Sequence, residues 1–150
     1  MIDSIFIKNN AINISNVSRE TLKELDDYSN SIISKNKDIN LISSSTEKSI
    51  NSRHIVDSAQ TIDFIDNIEI NTCTDLGSGA GLPGIVLAIL MKHKKPQFKV
   101  IFYEKSYHKS KFLVDMSNKF KLNTKVYQKN IFEEKNLSTD VIIARAFKPL

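Results

Sequence analysis

The stretch Thr74-Asp75-Leu76-Gly77-Ser78-Gly79-Ala80-Gly81-Leu82-Pro83-Gly84 holds all four glycines of the 150-residue chain and decides how the rest is read. An acidic residue closes a short apolar segment, and glycines at alternate positions then let the backbone turn tightly and approach a ligand that any Cβ would displace. The apolar run Ile85, Val86, Ala88, Ile89 and Leu90 predicts a helix over 82–92, with Pro83 in its first turn, where no N–H is needed. Free amides and the positive dipole end at that helix start would face the ligand. An ordinary strand-to-helix turn would not need three glycines at alternate positions.

Two registers of this turn imply different ligands. Gly79-Ala80-Gly81-Leu82-Pro83-Gly84 fits G-x-G-x-x-G, and Glu104 lies twenty residues beyond its last glycine, as in a dinucleotide fingerprint. The register Asp75-x-Gly77-x-Gly79-x-Gly81 instead matches the first motif of S-adenosylmethionine (SAM) methyltransferases. The second is favoured because SAM has no pyrophosphate, and its amino group and sulfonium tolerate a carboxylate at the turn that a dinucleotide's phosphates would not.

Outward from the turn, short apolar strands alternate with helices, the α/β signature. Strands are expected at 68–76, 98–103, 125–128 and 141–144, and a helix over 110–120 turns Phe112, Leu113, Met116 and Phe120 inward. The second strand ends at Glu104, where a carboxylate would accept both ribose hydroxyls. After the third strand, backbone amides near Ile131 and Phe132 would read an adenine edge, although two apolar residues filling a sheet edge explain them equally well. The fourth delivers Arg145 to the reactive end of the ligand, where it would hold an RNA phosphate or a guanine O6.

Before the turn, residues 1–15 read as an arm or short strand. Val17 and Ser18 start a helix whose face carries Leu22, Leu25, Tyr28 or Ser29, Ile32 and Ile33. Ser44-x-x-Glu47 predicts a capping box for a helix carrying Ile50, His54 and Ile55. Residues 1–60 are thus expected to pack as an arm and helices on a ligand-binding core of 61–150, together one structural unit.

The lone Cys73 forms no internal disulfide and reads as a buried small residue in a reducing compartment. No signal-like start or membrane-spanning run is visible, so a cytoplasmic protein is expected. The net charge of +4 is uneven: residues 92–129 hold eleven lysines against Glu104 and Asp115, whereas 1–91 hold seven basic and twelve acidic side chains. A lysine block beside a ligand turn makes nucleic acid the leading macromolecular partner, with solvated helix faces as the plainer account of part of it.

Taken in order, Asn36 with Ile39-Asn40-Leu41-Ile42-Ser43, Arg53-His54-Ile55-Val56-Asp57-Ser58, the glycine stretch 75–84 and Arg145-Ala146-Phe147 resemble the bacterial 16S ribosomal RNA guanine-N7 methyltransferases of the RsmG type, also called glucose-inhibited division protein B. The resemblance covers about residues 20–150. It implies a Rossmann-like SAM-dependent methyltransferase, an α/β fold with a mostly parallel sheet flanked by helices behind a small helical N-terminal region. It further implies SAM contacts at Gly77, Leu82, the Ile131-Phe132 pair and Arg145. To these the reading of the turn and strand ends adds Asp75, Gly79, Gly81 and Glu104.

Lys35 stands where the family usually places tryptophan. Family members also continue well past Arg-Ala-Phe, so the sheet is expected to be incomplete at the C-terminus, with four strands where the family fold has seven. The implied substrate is 16S ribosomal RNA or the small ribosomal subunit, with no membrane involved and a monomer expected. Guanine N7 carries a lone pair and no proton, so no general base is required and no catalytic residue is assigned; His54 and Asp57 are read as structural. No Cys/His spacing suggests a metal. A shortened relative that binds SAM or RNA without turnover, and then an NAD-binding enzyme, are the alternatives.

Overall fold

The computed structural model describes residues 17–66 and 69–145. The arm expected over 1–15, the start of the first strand at Ile68, and Ala146 and Phe147 of the Arg-Ala-Phe motif lie outside them. Helix α1 (Arg19–Asn36) begins where the Ser18 hydroxyl accepts the Thr21 amide at 3.1 Å. Its buried face carries Leu22, Leu25, Tyr28, Ser29 and Ile32, the three-and-four spacing of one helical stripe.

At the end of α1 the Asn36 side chain accepts the Leu41 and Ile42 amides at 2.8 and 3.0 Å and donates to Glu47 at 2.5 Å. Glu47 is thereby drawn away from the capping box expected of it. Ser44–Ser49 forms a 3-10 turn without a side-chain cap, followed by a π-helical stretch, Asn51–Val56. Two short helices, α2 (Asp57–Ala59) and α3 (Ile62–Ile65), lead to the sheet.

Four strands follow: β1 (Thr72–Leu76), β2 (Lys99–Tyr103), β3 (Thr124–Tyr127) and β4 (Val141–Ala144). They form one sheet in the order β3-β2-β1-β4, parallel at every pairing, as the Rossmann-like reading requires. Helix α4 (Gly84–Lys94) connects β1 to β2, and α5 (Tyr107–Lys119), capped by the Ser106 hydroxyl, connects β2 to β3. The chain steps outward from β1 through β2 to β3 and returns to the other side of β1 for β4. The topological switch therefore falls between β1 and β4, where open α/β sheets take their ligands.

The core lies around α4, whose residues from Gly84 to Met91 are all buried, because the sheet covers one side and α1 and α2 cover the other. Full burial of each of Ile85, Leu87 and Ile89 contributes roughly 1.5–3 kcal/mol relative to exposure. The helix starts at Gly84, two residues later than expected, with Pro83 at its N-cap after a cis Leu82–Pro83 bond. Val141 and Ile143 of β4 pack on the core, whereas Ile142, on the opposite face, is 52% exposed. Among the described residues β4 pairs with β1 alone.

The first helix is tied to the glycine turn by a hydrogen bond across 52 residues, in which the fully buried Tyr28 hydroxyl donates to the Ala80 carbonyl at 2.6 Å. Burial raises the phenol's pKa well above 10, with Asp75 adding to the effect, so Tyr28 remains a donor at any physiological pH. Tyr28→Phe leaves that carbonyl buried without its donor. Urea unfolding should show a loss of about 1–3 kcal/mol with an unchanged m-value.

Candidate functional site

The three glycines at alternate positions have φ of +64° (Gly77), +54° (Gly79) and +88° (Gly81), the left-handed region that favours glycine. Gly84 is required for a different reason. A Cβ there would lie 2.3 Å from Phe102 Cε1 and 2.5 Å from Asp75 Oδ2. The turn is fastened from several sides: the Gly77 amide donates to the Tyr103 carbonyl at 2.9 Å, and the Ser78 hydroxyl to the Asp75 carbonyl at 2.9 Å. The Gly79 amide donates to Glu104 Oε2 at 2.8 Å.

A pocket of about 230 Å³ opens over this turn. Residues 77–80 and Leu82 form its floor, Leu41, Ile42 and His54 its roof, and Arg145 closes the end beside β4. Of the residues read from the sequence as ligand-binding, Gly77, Gly79, Leu82 and Arg145 thus line one space. Gly81 is buried beneath them against Ile85 and Leu113. Arg145 Nη2 donates to the Arg53 carbonyl at 2.9 Å.

Glu104, 7% exposed, adjoins this space through Gly79. Its second oxygen accepts the Ser106 amide at 2.8 Å. Two backbone donors orient the carboxylate and compensate its burial, and each oxygen retains a further lone pair for a ligand hydroxyl. Ile131 and Phe132 sit in the 3-10 turn after β3, outside the pocket lining, with Phe132 65% exposed. That turn is held by the Asn130 side chain, which accepts the Phe132 amide, and by Glu134, which pairs with Lys129 at 2.6 Å and accepts the Tyr103 hydroxyl at 3.0 Å.

Asp75 is 1% exposed and stands apart from the pocket, its Oδ2 accepting the Gly84 amide at 3.0 Å. The carboxylate expected beside the ligand's amino group thus faces the start of α4 and is not part of the pocket lining. Neither the Tyr28 hydroxyl on the Ala80 carbonyl nor the Thr46 hydroxyl, 2.8 Å from His54 Nε2, was visible in the sequence, because the first acts across 52 residues and the second from an irregular turn. His54 lines the pocket, and Asp57, three residues on, is exposed.

The lysine block is divided by the topology. Lys92, Lys94, Lys95 and Lys99 lie at the end of α4 and the start of β2, and Lys119, Lys121 and Lys125 at the end of α5 and the start of β3. These are at the end of the sheet opposite the pocket. Lys105, Lys109 and Lys129 follow strand ends on the pocket side. Acids neutralise Lys92, Lys94, Lys111 and Lys129. The block is therefore not one face beside the turn, as its continuity in sequence suggested, because each βα crossover carries the chain from one end of the sheet to the other. Among the described residues no helix is long and apolar enough to cross a membrane, and no cluster of three metal-ligating side chains occurs.

The family described as rRNA small subunit methyltransferase G matches residues 21–150. The chain belongs to that family. Ribosomal RNA small subunit methyltransferase G of Pelagibacter ubique (strain HTCC1062) is 52% identical over 137 residues, 90% of this chain and 64% of that protein. The protein of the same name from Cereibacter sphaeroides (strain ATCC 17025) is 42% identical over 135 residues, again 90% and 64%, and that of Ruegeria pomeroyi 34% over 138 residues, 92% and 67%. The chain thus spans about 64% of the length of the first two of these methyltransferase G relatives.

Burial pushes the Asp75 carboxyl up to about 7; the Gly84 amide opposes the rise and the nearby Glu104 adds to it. The folded state therefore holds a proton that the unfolded chain, with an ordinary carboxyl near 4, has released. The sign follows: between pH 4 and pH 7 this group makes the protein less stable as pH rises, and above 7 its contribution is constant. Asp75→Asn keeps an oxygen for the Gly84 amide and removes the titration. The stability of the variant minus that of wild type should rise by roughly 4 kcal/mol from pH 4 to pH 7.5 in chemical denaturation, from about 1.4 kcal/mol per pH unit.

Proposed function

We propose that this chain binds S-adenosyl-L-methionine along the C-terminal ends of its strands and transfers its methyl group to N7 of a guanine in 16S ribosomal RNA. The observation that carries the reading is the glycine turn of left-handed φ at the switch between β1 and β4, roofed by the Asn36-anchored Leu41 and Ile42. Its chemistry suits the donor. The turn brings backbone within contact distance, Glu104 offers oriented acceptors for ribose hydroxyls, and the 3-10 turn at Ile131 and Phe132 lies past β3, on the side where the adenine would project. Asp75 acts behind this surface by fixing the start of α4, and Gly81 by letting the turn close on the core.

The cofactor, when bound, supplies an already activated methyl group. The task left to the chain is to align the acceptor nitrogen and exclude water, because N7 has no proton to remove. Leu41, Ile42 and Leu82 supply the apolar wall. The small ribosomal subunit or its RNA is the proposed partner, which would set the work in the cytoplasm; Lys105 and Lys109 beside the pocket, with Arg53, are the cations available to phosphates. The N-terminal helices to about residue 60 are proposed as a roof on the 61–150 core.

Calorimetric titration of the 150-residue chain with SAM should give a saturable heat. Glu104→Ala should weaken binding roughly tenfold to a hundredfold, since each hydrogen bond to a charged group is worth about 1.5–3 kcal/mol. Labelled methyl should pass from SAM to 16S ribosomal RNA as 7-methylguanine. Saturable SAM binding without transfer would select the silent relative, and binding of NAD in place of SAM would select the dinucleotide enzyme.

A further inference from the structure

Two polar atoms in the pocket walls are buried and have no partner: Nδ1 of His54 and Nη1 of Arg145. Their hydrogen-bonding characters follow from what surrounds them. The Thr46 hydroxyl donates its proton to the Ser43 carbonyl at 2.9 Å, so toward the His54 Nε2, 2.8 Å away, it acts as acceptor. Nε2 therefore carries the ring proton. Burial, and secondarily the Arg145 charge, lower the imidazole's pKa below 6.5 against the pull of Asp57, so the ring is neutral and Nδ1 presents a bare lone pair. Arg145 Nη1 can only donate, and its sister nitrogen is already engaged by Arg53. One acceptor and one cationic donor thus line the same pocket.

Three carbonyls near the turn already hold one donor each. The Ser78 carbonyl takes the Gly81 amide, the Ala80 carbonyl takes Tyr28, and the Gly81 carbonyl takes the Ile85 amide. Asp75 lies outside the pocket lining with Oδ2 on the Gly84 amide, and its Oδ1 is buried without a partner. A ligand ammonium beside Arg145 can meet the unpartnered lone pair of His54 Nδ1, and a carboxylate on the same carbon the unpartnered Arg145 Nη1.

We propose that His54 Nδ1 accepts the α-ammonium, and Arg145 Nη1 donates to the α-carboxylate, of the methionine headgroup of the methyl donor, so that this pair reads an amino-acid zwitterion. The assignment rests on the SAM reading of the pocket and adds to it a residue, His54, that neither motif register contains. Both atoms are covered in the structure, so the headgroup reaches them through rotation of the Arg145 side chain, which one hydrogen bond to the Arg53 carbonyl holds.

The test compares two thioethers in calorimetric titration of the 150-residue chain: S-adenosylhomocysteine, and 5′-methylthioadenosine, which keeps adenosine and sulfur but lacks the headgroup. Wild type should prefer S-adenosylhomocysteine, a result that needs no variant. His54→Gln places an amide N–H near Thr46 but no acceptor at the δ position. It should lose roughly tenfold to a hundredfold on S-adenosylhomocysteine and nothing on 5′-methylthioadenosine. His54→Asn, with its amide oxygen near the δ position, should retain more of the preference. An equal loss on both ligands would mean a purely structural histidine and overturn the proposal, as would an undiminished preference in His54→Gln. Wild-type binding of both ligands without preference sinks only the headgroup assignment. Binding of neither sinks the SAM reading, and the assignment with it.

Discussion

The joint on which the rest of the structure depends is the contact of a buried carboxylate with a helix start. Asp75, on the last turns of β1, accepts the amide of Gly84, the first residue of α4, at 3.0 Å. The two backbones come so close that no side chain fits between them and Phe102. A helix amide is one of the few groups that could hold a carboxylate with 1% exposure, and even so burial leaves its proton affinity high. This contact fixes where α4 begins, and therefore the length of the turn from Gly77 to Pro83. A longer connection would lift the turn off the sheet; a shorter one would pull the apolar run of α4 out of the core.

Given that span, the turn's form is over-determined by hydrogen bonds from three directions: Tyr103 and Asp75 carbonyls below, Glu104 from β2, and Tyr28 from α1. The last of these makes the N-terminal helices part of the site. Asn36, at the end of the same helix, holds the backbone of Leu41 and Ile42, so the roof and the floor of the pocket are positioned by one element, α1. A shift of α1 along its axis would move both together, which preserves the height of the pocket.

What was legible in the sequence follows from the range of the interactions. Three glycines at alternate positions announce three left-handed residues, because φ is a local property, and all three are found. The strands and α5 were visible through their apolar spacing, and the parallel order through their alternation with helices. The region 44–56 was legible only in part. Glu47 belongs to Asn36 instead of a capping box, and the stretch carrying His54 is π-helical, a winding that no apolar period specifies. Tyr28 showed as a core residue in the helical stripe, but its hydroxyl bond to a carbonyl 52 positions away leaves no local trace. The bond from the Gly84 amide to Asp75 was likewise not visible: a motif states which residue types are present, and which neighbour a carboxylate faces is decided by the pleat of β1.

The distribution of charge carries the same lesson to the surface. Eleven lysines in thirty-eight residues read as one basic face, yet a parallel sheet sends successive segments to opposite ends, and the block becomes two groups separated by the length of a strand. The larger group, around the ends of α4 and α5, is partly neutralised by Glu24 and Asp66 and partly bound to backbone, as in the bond from Lys92 to the Phe120 carbonyl. It acts in part as a stabiliser of helix C-termini, where cations are favoured. The pocket edge is left with few cations, and two of its principal ones, Arg145 and Lys129, are held by hydrogen bonds or ion pairs. Electrostatic affinity for phosphates on that side is accordingly modest, since each neutralised phosphate contributes its own increment of counterion release. The proposed recognition of a nucleic acid at this pocket would then draw on shape and on contacts to a base more than on bulk charge.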